Sequence, residues 1–128
     1  MQIRADNMAE FYTSINQFRR NVRPALVALG IPYKDFAAVA KVRTASVYKA
    51  NYINEGLSLE IIFKMLFSLK NAAKDDELVT DFIDYIFEKK LTPEQQDKID
   101  AAMYLYGDRR NTDCDQLKMR RTIAEVLK

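Results

Sequence analysis

One spacing of small and apolar residues constrains the fold of this chain more than any other feature. Ala37 lies inside a short helical pattern, Val42 follows a turn at Lys41, and Val47 lies five residues later inside a second short helical pattern. Two short helices that cross at a steep angle need a small residue where they touch, and apolar residues that hold the second helix in place. The spacing therefore predicts two short helices joined by a tight turn at residues 41–43.

This layout is that of a helix-turn-helix, whose second helix can enter the major groove of DNA. We expect the two helices of the motif, the second and third helices of the chain, over about 32–40 and 44–50. The buried side of the first of these two is expected to include Val39. After a loop at 51–56, Ser58 is a natural N-cap for a strongly apolar helix that follows.

The composition predicts an all-α protein. Three Gly and three Pro among 128 residues leave few turns for a β architecture, and no alternating strand pattern of useful length occurs. No apolar run is long enough to cross a membrane, and the N-terminal residues lack the apolar core of a signal peptide. The single cysteine, Cys114, cannot form an internal disulfide. These features predict a cytoplasmic protein.

Helical patterns continue on both sides of the motif. A four-three-four spacing of apolar residues predicts a first helix, which Pro24 is expected to kink or break, with a second segment ending at Gly30. Further on, Thr92 and Gln95 form a capping-box pattern around Pro93. We predict a helix-turn-helix helical bundle with additional C-terminal helices. Residues 1–70 form the DNA-binding domain with its N-terminal helix, and 71–128 form an extension for dimerisation or partner binding.

The charges are distributed unevenly along the chain. Residues 1–50 carry eight basic and three acidic residues, a net of +5, whereas residues 70–100 carry five lysines and nine acids, a net of −4. Such an asymmetry is typical of a protein that offers one face to a polyanion and another face to something else. The same charges also suit helix surfaces that are simply solvated, so the charge pattern alone leaves both interpretations open.

The motif resembles the λ-repressor/Cro-type helix-turn-helix domain over about 18–69. Ala37, Val42, Val47 and the Ser58-Leu59-Glu60 run match the family pattern. Two positions depart from it: Lys41 occupies the usual turn glycine, and Arg43 occupies the usual capping serine. Lys41 must therefore accept a left-handed backbone or the turn must differ, and Thr44 is an alternative cap for the third helix.

The resemblance implies a third helix in the major groove, with its N-terminal residues toward the base edges. Arg43 is the best candidate for a guanine contact, and lysines are suited to phosphates. The start of the second helix could offer the Tyr33 hydroxyl to the DNA backbone. The predicted DNA-binding residues are Tyr33, Lys41, Arg43, Thr44, Ala45, Ser46, Tyr48 and Lys49, with Arg19, Arg20 and Arg23 as candidate phosphate contacts on the first helix.

Each of these residues also has a purely structural interpretation. Lys41 and Arg43 suit a solvated turn, and Tyr48 suits packing against the next helix or against Tyr52. The arginines of the first helix also suit an ordinary charged surface.

A single domain of this type contacts few bases, so we expect a homodimer that binds two half-sites. The C-terminal helices carry more large side chains than one buried stripe needs, which makes them, or the first helix, the expected dimer interface. The alternative is that they complete the monomer core. These side chains are Phe82, Tyr85, Phe87, Met103, Tyr104, Tyr106 and Met119.

The residue types argue against catalysis. The chain has no histidine, no glycine-rich phosphate loop and no paired cysteines. We therefore expect no enzymatic activity, no cofactor and no metal. The predicted function is a sequence-specific, DNA-binding transcriptional regulator of bacterial or phage type. The alternative is a protein-binding adaptor or inhibitor that reuses the fold, with acidic helices at 75–100 contacting a basic partner. An exposed third helix flanked by basic residues would favour the DNA-binding regulator.

Overall fold

The protein folds into a bundle of helices around one long central helix. The structure is a computed structural model that describes residues 5–107 and 113–128, with the side chains of all of these except 5–7, 106, 107, 113 and 114. The expected roles of Cys114 and Tyr106 lie outside the described side chains. The helices are α1 (Ala5–Leu29), α2 (Tyr33–Ala40), α3 (Thr44–Ala50), α4 (Leu59–Ala72), α5 (Glu77–Glu88), α6 (Pro93–Ala102) and α7 (Asp113–Val126), with a π-helical turn at Met103–Gly107.

The predicted all-α class is confirmed, since the described ranges contain seven α-helices and no strand. None of these helices combines the length and apolar character that a membrane crossing requires.

Helix α1 is the centre of the bundle. It contacts α3, α4, α5, α7 and the π-helical turn, and residues 21–28 are buried without interruption. A helix that is buried all round is supported by neighbours on every side rather than along one stripe. This support explains why α1 continues through Pro24, where a break was one expected outcome. The lost backbone hydrogen bond is outweighed by packing on both sides of the proline.

A glycine in the left-handed backbone conformation ends α1. Gly30, with φ of 70°, follows α1, and the next N–H, that of Ile31, donates to the Leu26 carbonyl at 3.0 Å. This is the backbone pattern that commonly closes a helix, and it confirms the predicted end at Gly30. Side chains from α7 complete this end, because Gln116 and Arg120 both donate to the Ala28 carbonyl at 3.1 Å.

Polar side chains join α1 to the C-terminal helices. Gln17 forms two hydrogen bonds of 2.9 Å with the backbone of Leu91, one as donor and one as acceptor. Buried Asn21 exchanges two amide hydrogen bonds, of 3.0 and 3.1 Å, with Gln96. Since buried amides are costly unless they are paired, these reciprocal contacts fix how α1 sits against α6.

Local signals set the starts of three later helices. The side chains of Ser58, Asp76 and Thr92 each accept a hydrogen bond from a backbone N–H three residues further on. At α6, the side-chain oxygen Oε1 of Gln95 accepts in return a hydrogen bond of 2.8 Å from the backbone N–H of Thr92, which completes the predicted capping box. The predicted caps at Ser58 and Thr92 are therefore confirmed.

The buried residues form one core that includes side chains from both halves of the chain. Phe82 and Met119, which were expected to serve a dimer interface, are fully buried in it, and so they complete the monomer core. Tyr85, Phe87 and Met103 are partly buried against the same core, whereas Tyr104 is 87% exposed. Of the described members of that set, Tyr104 alone lies mainly on the surface.

Candidate nucleic-acid interface

The sequence left two forms open for the turn between α2 and α3, and the structure has the form in which Lys41 is left-handed. Lys41 adopts a left-handed conformation with φ of 58° and ψ of 44°, so it accepts the backbone that a glycine usually provides. The N–H of Val42 donates to the Ala37 carbonyl at 3.1 Å, which closes the end of α2. Arg43 is then the N-cap residue of α3, without a side-chain capping bond, and Thr44 is the first helical residue. The predicted start of α3 is unchanged.

One side of α3 is buried against the bundle. Val47 and Ala50 have no exposed surface, and α3 contacts both α1 and α2. Ser46 is also buried, at 9% exposure, so its predicted outward position is wrong. The reason is geometric: two neighbouring helices cover a wider arc of α3 than the single apolar stripe that Val47 and Ala50 indicate.

The other side of α3 is open to solvent. Ala45 and Lys49 are exposed, and Tyr48 is 48% exposed, while Thr44 at the start of the helix is partly buried. Lys41 and Arg43 are exposed in the turn beside them. This surface, consisting of Lys41, Arg43, Thr44, Ala45, Tyr48 and Lys49, is called the α3 face below. It brings together six of the eight predicted DNA-binding residues.

The other two of the eight do not offer their polar atoms to this surface. One of the two is Ser46. The other is Tyr33, whose ring is partly buried and whose hydroxyl oxygen is fully buried. The prediction that this hydroxyl meets the DNA backbone is therefore corrected. Also on α2, Val39 was expected in the core but is 71% exposed.

Arg19 is a buried structural residue rather than a phosphate contact. Its side chain is 5% exposed, and Nη2 donates to the carbonyls of Tyr52 at 3.1 Å and Glu55 at 2.8 Å. A longer contact of 3.4 Å reaches the Lys49 carbonyl near the end of α3. Burial lowers the pKa of Arg19, and the nearby charge of Glu55 opposes this shift. Arg19 thus holds the end of α3 and the following loop, and its predicted place on a DNA-facing surface is wrong.

Arg23 lies behind the α3 face rather than on it. It is 5% exposed, and its guanidinium carbon is 5.6 Å from the ring centre of Tyr33 and 5.5 Å from that of Tyr48. The two rings meet edge to face with centres 5.2 Å apart. The predicted phosphate contact at Arg23 is corrected accordingly. Tyr48 packs against Arg23 and Tyr33, whereas the sequence suggested α4 or Tyr52 as its structural partner.

Arg20 differs from its two neighbours on α1, because its side chain remains 42% exposed. Its Nη2 lies 3.1 Å from a carboxylate oxygen of Asp100, which is 39% exposed. Both groups are accessible to water, so the pair is weak. The three arginines therefore have three separate environments, which their close spacing in the sequence did not indicate.

The charges around the α3 face are mainly positive. Residues 33–55 carry four basic residues, Lys34, Lys41, Arg43 and Lys49, and two acids, Asp35 and Glu55. The attraction between Arg19 and Glu55 offsets one of the two acids. Among the described residues, no three His, Cys, Asp or Glu side chains lie close enough together to hold a metal ion. The arrangement suits contact with a polyanion.

No protein-family model, curated protein or solved structure matches this chain.

Proposed function

We propose that this protein is a sequence-specific, DNA-binding transcriptional regulator of bacterial or phage type, with α3 in the major groove. The observation that carries the proposal is the two-sided environment of α3: one side is fixed in the core, and the α3 face is exposed between basic residues. A DNA-binding helix needs this combination, because it must be held rigidly while it offers side chains to base edges.

The chemistry of the α3 face supports the proposal. Arg43 is able to donate two parallel hydrogen bonds to guanine, and Ala45 is able to contact a thymine methyl group. Lys41 and Lys49 flank them and are suited to phosphates, which would make affinity fall steeply as salt is added. The resemblance to λ-repressor/Cro-type domains supports the same placement of α3.

We propose further that the protein binds DNA as a homodimer. Tyr104 and Leu105 in the π-helical turn and Leu117 in α7 are 87%, 66% and 58% exposed, and these two elements contact each other. Exposed apolar side chains on adjacent elements are suited to an interface between two copies. A dimer would double the number of base contacts.

The alternative is a protein-binding adaptor that uses the acidic helices at 75–100. One observation favours it: Asp81, Asp84 and Glu88 are all exposed along α5. In that case the basic partner would bind α5, and the α3 face would have no nucleic-acid ligand.

The decisive experiment selects bound fragments from a random pool of double-stranded DNA and then measures affinity at several salt concentrations. We expect an enriched palindromic motif, which a two-fold dimer requires, with half-sites about 10 base pairs or a multiple of that distance apart. The double variant Arg43→Ala/Lys49→Ala should then weaken binding to this motif at least about tenfold and reduce the salt dependence by about one or two phosphate contacts.

The matched control is Lys89→Ala/Lys98→Ala, which removes the same charge from exposed positions in the C-terminal half. It should leave sequence preference unchanged. Equal loss in both double variants would mean that net charge, rather than the α3 face, determines binding. Salt-sensitive binding without an enriched motif would contradict sequence specificity, and no binding at low salt would favour the adaptor.

A further inference from the structure

The contact of Arg23 with two tyrosines links three helices at the back of the α3 face. Arg23 comes from α1, Tyr33 is the first residue of α2, and Tyr48 lies in α3. The guanidinium carbon lies 5.6 and 5.5 Å from the two ring centres, and the rings themselves are 5.2 Å apart at an angle of 80°. These separations are within the ranges for cation–π and edge-to-face contacts.

The burial of this cluster changes from one end to the other. Arg23 is 5% exposed and Tyr33 is partly buried, whereas Tyr48 is 48% exposed. A buried cation attracts an aromatic ring more strongly than a solvated one, because water does not screen the contact. The inner part of Tyr48 is therefore held by fixed groups, while its outer part remains available to a ligand.

We propose that Arg23 is a positioning residue for Tyr48, and that Tyr48 determines specificity on the α3 face. This inference rests on the proposed function. Tyr48 has only two side-chain torsions, so contact with Tyr33 and Arg23 fixes the direction of its hydroxyl and ring edge. A side chain already fixed in its bound position loses less entropy when it meets a base pair. The hydroxyl both donates and accepts hydrogen bonds, and the ring edge suits a thymine methyl group.

The test is a double-mutant cycle with Arg23→Met, Tyr48→Ala and both together. Each protein is measured against the selected DNA motif and against its single base-pair variants. Tyr48→Ala should reduce discrimination at one or two base pairs by about tenfold. Arg23→Met should reduce discrimination at the same base pairs by about fivefold, and the double variant should be no worse than Tyr48→Ala. The salt dependence should stay unchanged, since neither residue is assigned to a phosphate.

Two further variants separate positioning from stability and from charge. Arg23→Lys keeps the charge without the planar guanidinium, so it should fold and still lose discrimination by about twofold to threefold. Lys49→Ala is the control for charge on the α3 face and should lower the salt dependence without changing the preferred bases. NMR spectra of the free proteins provide a DNA-independent measurement: the Tyr48 ring protons should lose the shift caused by the Tyr33 ring when Arg23 is replaced.

The outcomes distinguish this inference from the function on which it rests. If the wild type selects a motif and Arg23→Met keeps both full discrimination and the Tyr48 ring shifts, the inference is wrong and the proposed function stands. Additive losses in the cycle would also overturn it, since Arg23 would then act independently of Tyr48. If the wild type selects no motif at all, the proposed function fails first, and this inference fails with it.

Discussion

The helix-turn-helix segment, residues 33–50, and the C-terminal helices, α5 to α7, are held in different ways. No side-chain capping bond occurs at the N-terminus of α2 or α3, whereas α5 and α6 begin with capping side chains from Asp76 and Thr92. The end of α3 is instead held by Arg19, which lies on α1. The end of the helix-turn-helix segment is therefore held by a distant helix, whereas the starts of α5 and α6 are capped by residues at those starts.

The arginines that hold these two regions also differ in their partners. Arg19 donates to backbone carbonyls, those of Lys49, Tyr52 and Glu55. Arg120 also donates to one carbonyl, that of Ala28, but it forms two further hydrogen bonds with the carboxylate of Asp76, at 2.7 and 3.2 Å. Carbonyl groups do not titrate in the acid range, whereas a carboxylate does. Acid should therefore weaken the hold on α5 and α7 before it affects the hold on α3.

The largest expected effect comes from removing the distant contact. Arg19→Ala removes a buried charged donor, and the carbonyls of Tyr52 and Glu55 in the loop after α3 lose their hydrogen bonds to it. We therefore expect a loss of about 3 kcal/mol in the free energy of unfolding. Urea unfolding measures the total. Hydrogen exchange should show the greatest loss of protection at 44–56, because Arg19 is what holds the end of α3.

Arg20→Ala is the matched control, because Arg20 is the next residue on the same helix and its pair with Asp100 is exposed to water. We expect it to cost less than about 1 kcal/mol. Similar losses for the two variants, or a loss of protection spread evenly over the bundle, would contradict the dependence of α3 on Arg19.

The second effect concerns Asp76, which combines two roles. Its carboxylate caps α5 and pairs with Arg120, and hydrogen bonding to Arg120 is the main reason why the pKa of Asp76 lies below its ordinary value of 3.8. A lowered pKa means that the contribution to stability is present above the ordinary value and is lost as the pH falls through the folded-state value. Asp76→Ala should cost about 2–3 kcal/mol at neutral pH, from the cap and the pair together.

Asp76→Asn separates the two roles, since asparagine is also a good N-cap but carries no charge. It should keep part of the stability at neutral pH, and both variants should lose less stability than the wild type on acidification. Urea unfolding at neutral and acid pH measures this difference. An acid-induced loss in Asp76→Asn equal to that of the wild type would show that other carboxylates are responsible.

The same contrast explains how much of the fold and of the interface the sequence predicted. The caps at Ser58 and Thr92 and the end of α1 at Gly30 were predicted, because each depends on residues only a few positions apart. The buried arginines Arg19 and Arg23 were not, because their partners lie in later helices and loops, beyond the reach of any local pattern. Nothing in the spacing of the α1 arginines indicates that α3 and the loop after it cover Arg19 and Arg23 but leave Arg20 exposed.

The α3 face was predicted more successfully than the surface of α1. Val47 and the turn at Lys41 defined which side of α3 is buried, so the exposure of Ala45, Tyr48 and Lys49 followed from helical periodicity. Ser46 was placed incorrectly, because the width of the buried arc depends on how many helices cover α3. That number is a property of the assembled bundle.

The smallest expected effect compares two lysines with nearly the same positive φ, one in each region. Lys41 and Lys90 have φ of 58° and 60°; Lys41 is the C-cap of α2, and Lys90 follows Lys89, the C-cap of α5. A left-handed backbone costs less for glycine than for lysine, although glycine also loses more entropy on folding. Lys41→Gly and Lys90→Gly should therefore each raise the free energy of unfolding by about 0.5–1 kcal/mol, measured by urea unfolding.

DNA binding then separates the two variants, because only Lys41 lies on the α3 face. Lys41→Gly should lower the salt dependence of binding by about one phosphate contact, and Lys90→Gly should leave it unchanged. Because both residues share a positive φ and both variants lose one charge, a difference in binding reports the position of the lost charge rather than a change in stability. Equal salt dependence in the two variants would remove Lys41 from the interface and leave its left-handed turn as a structural feature alone.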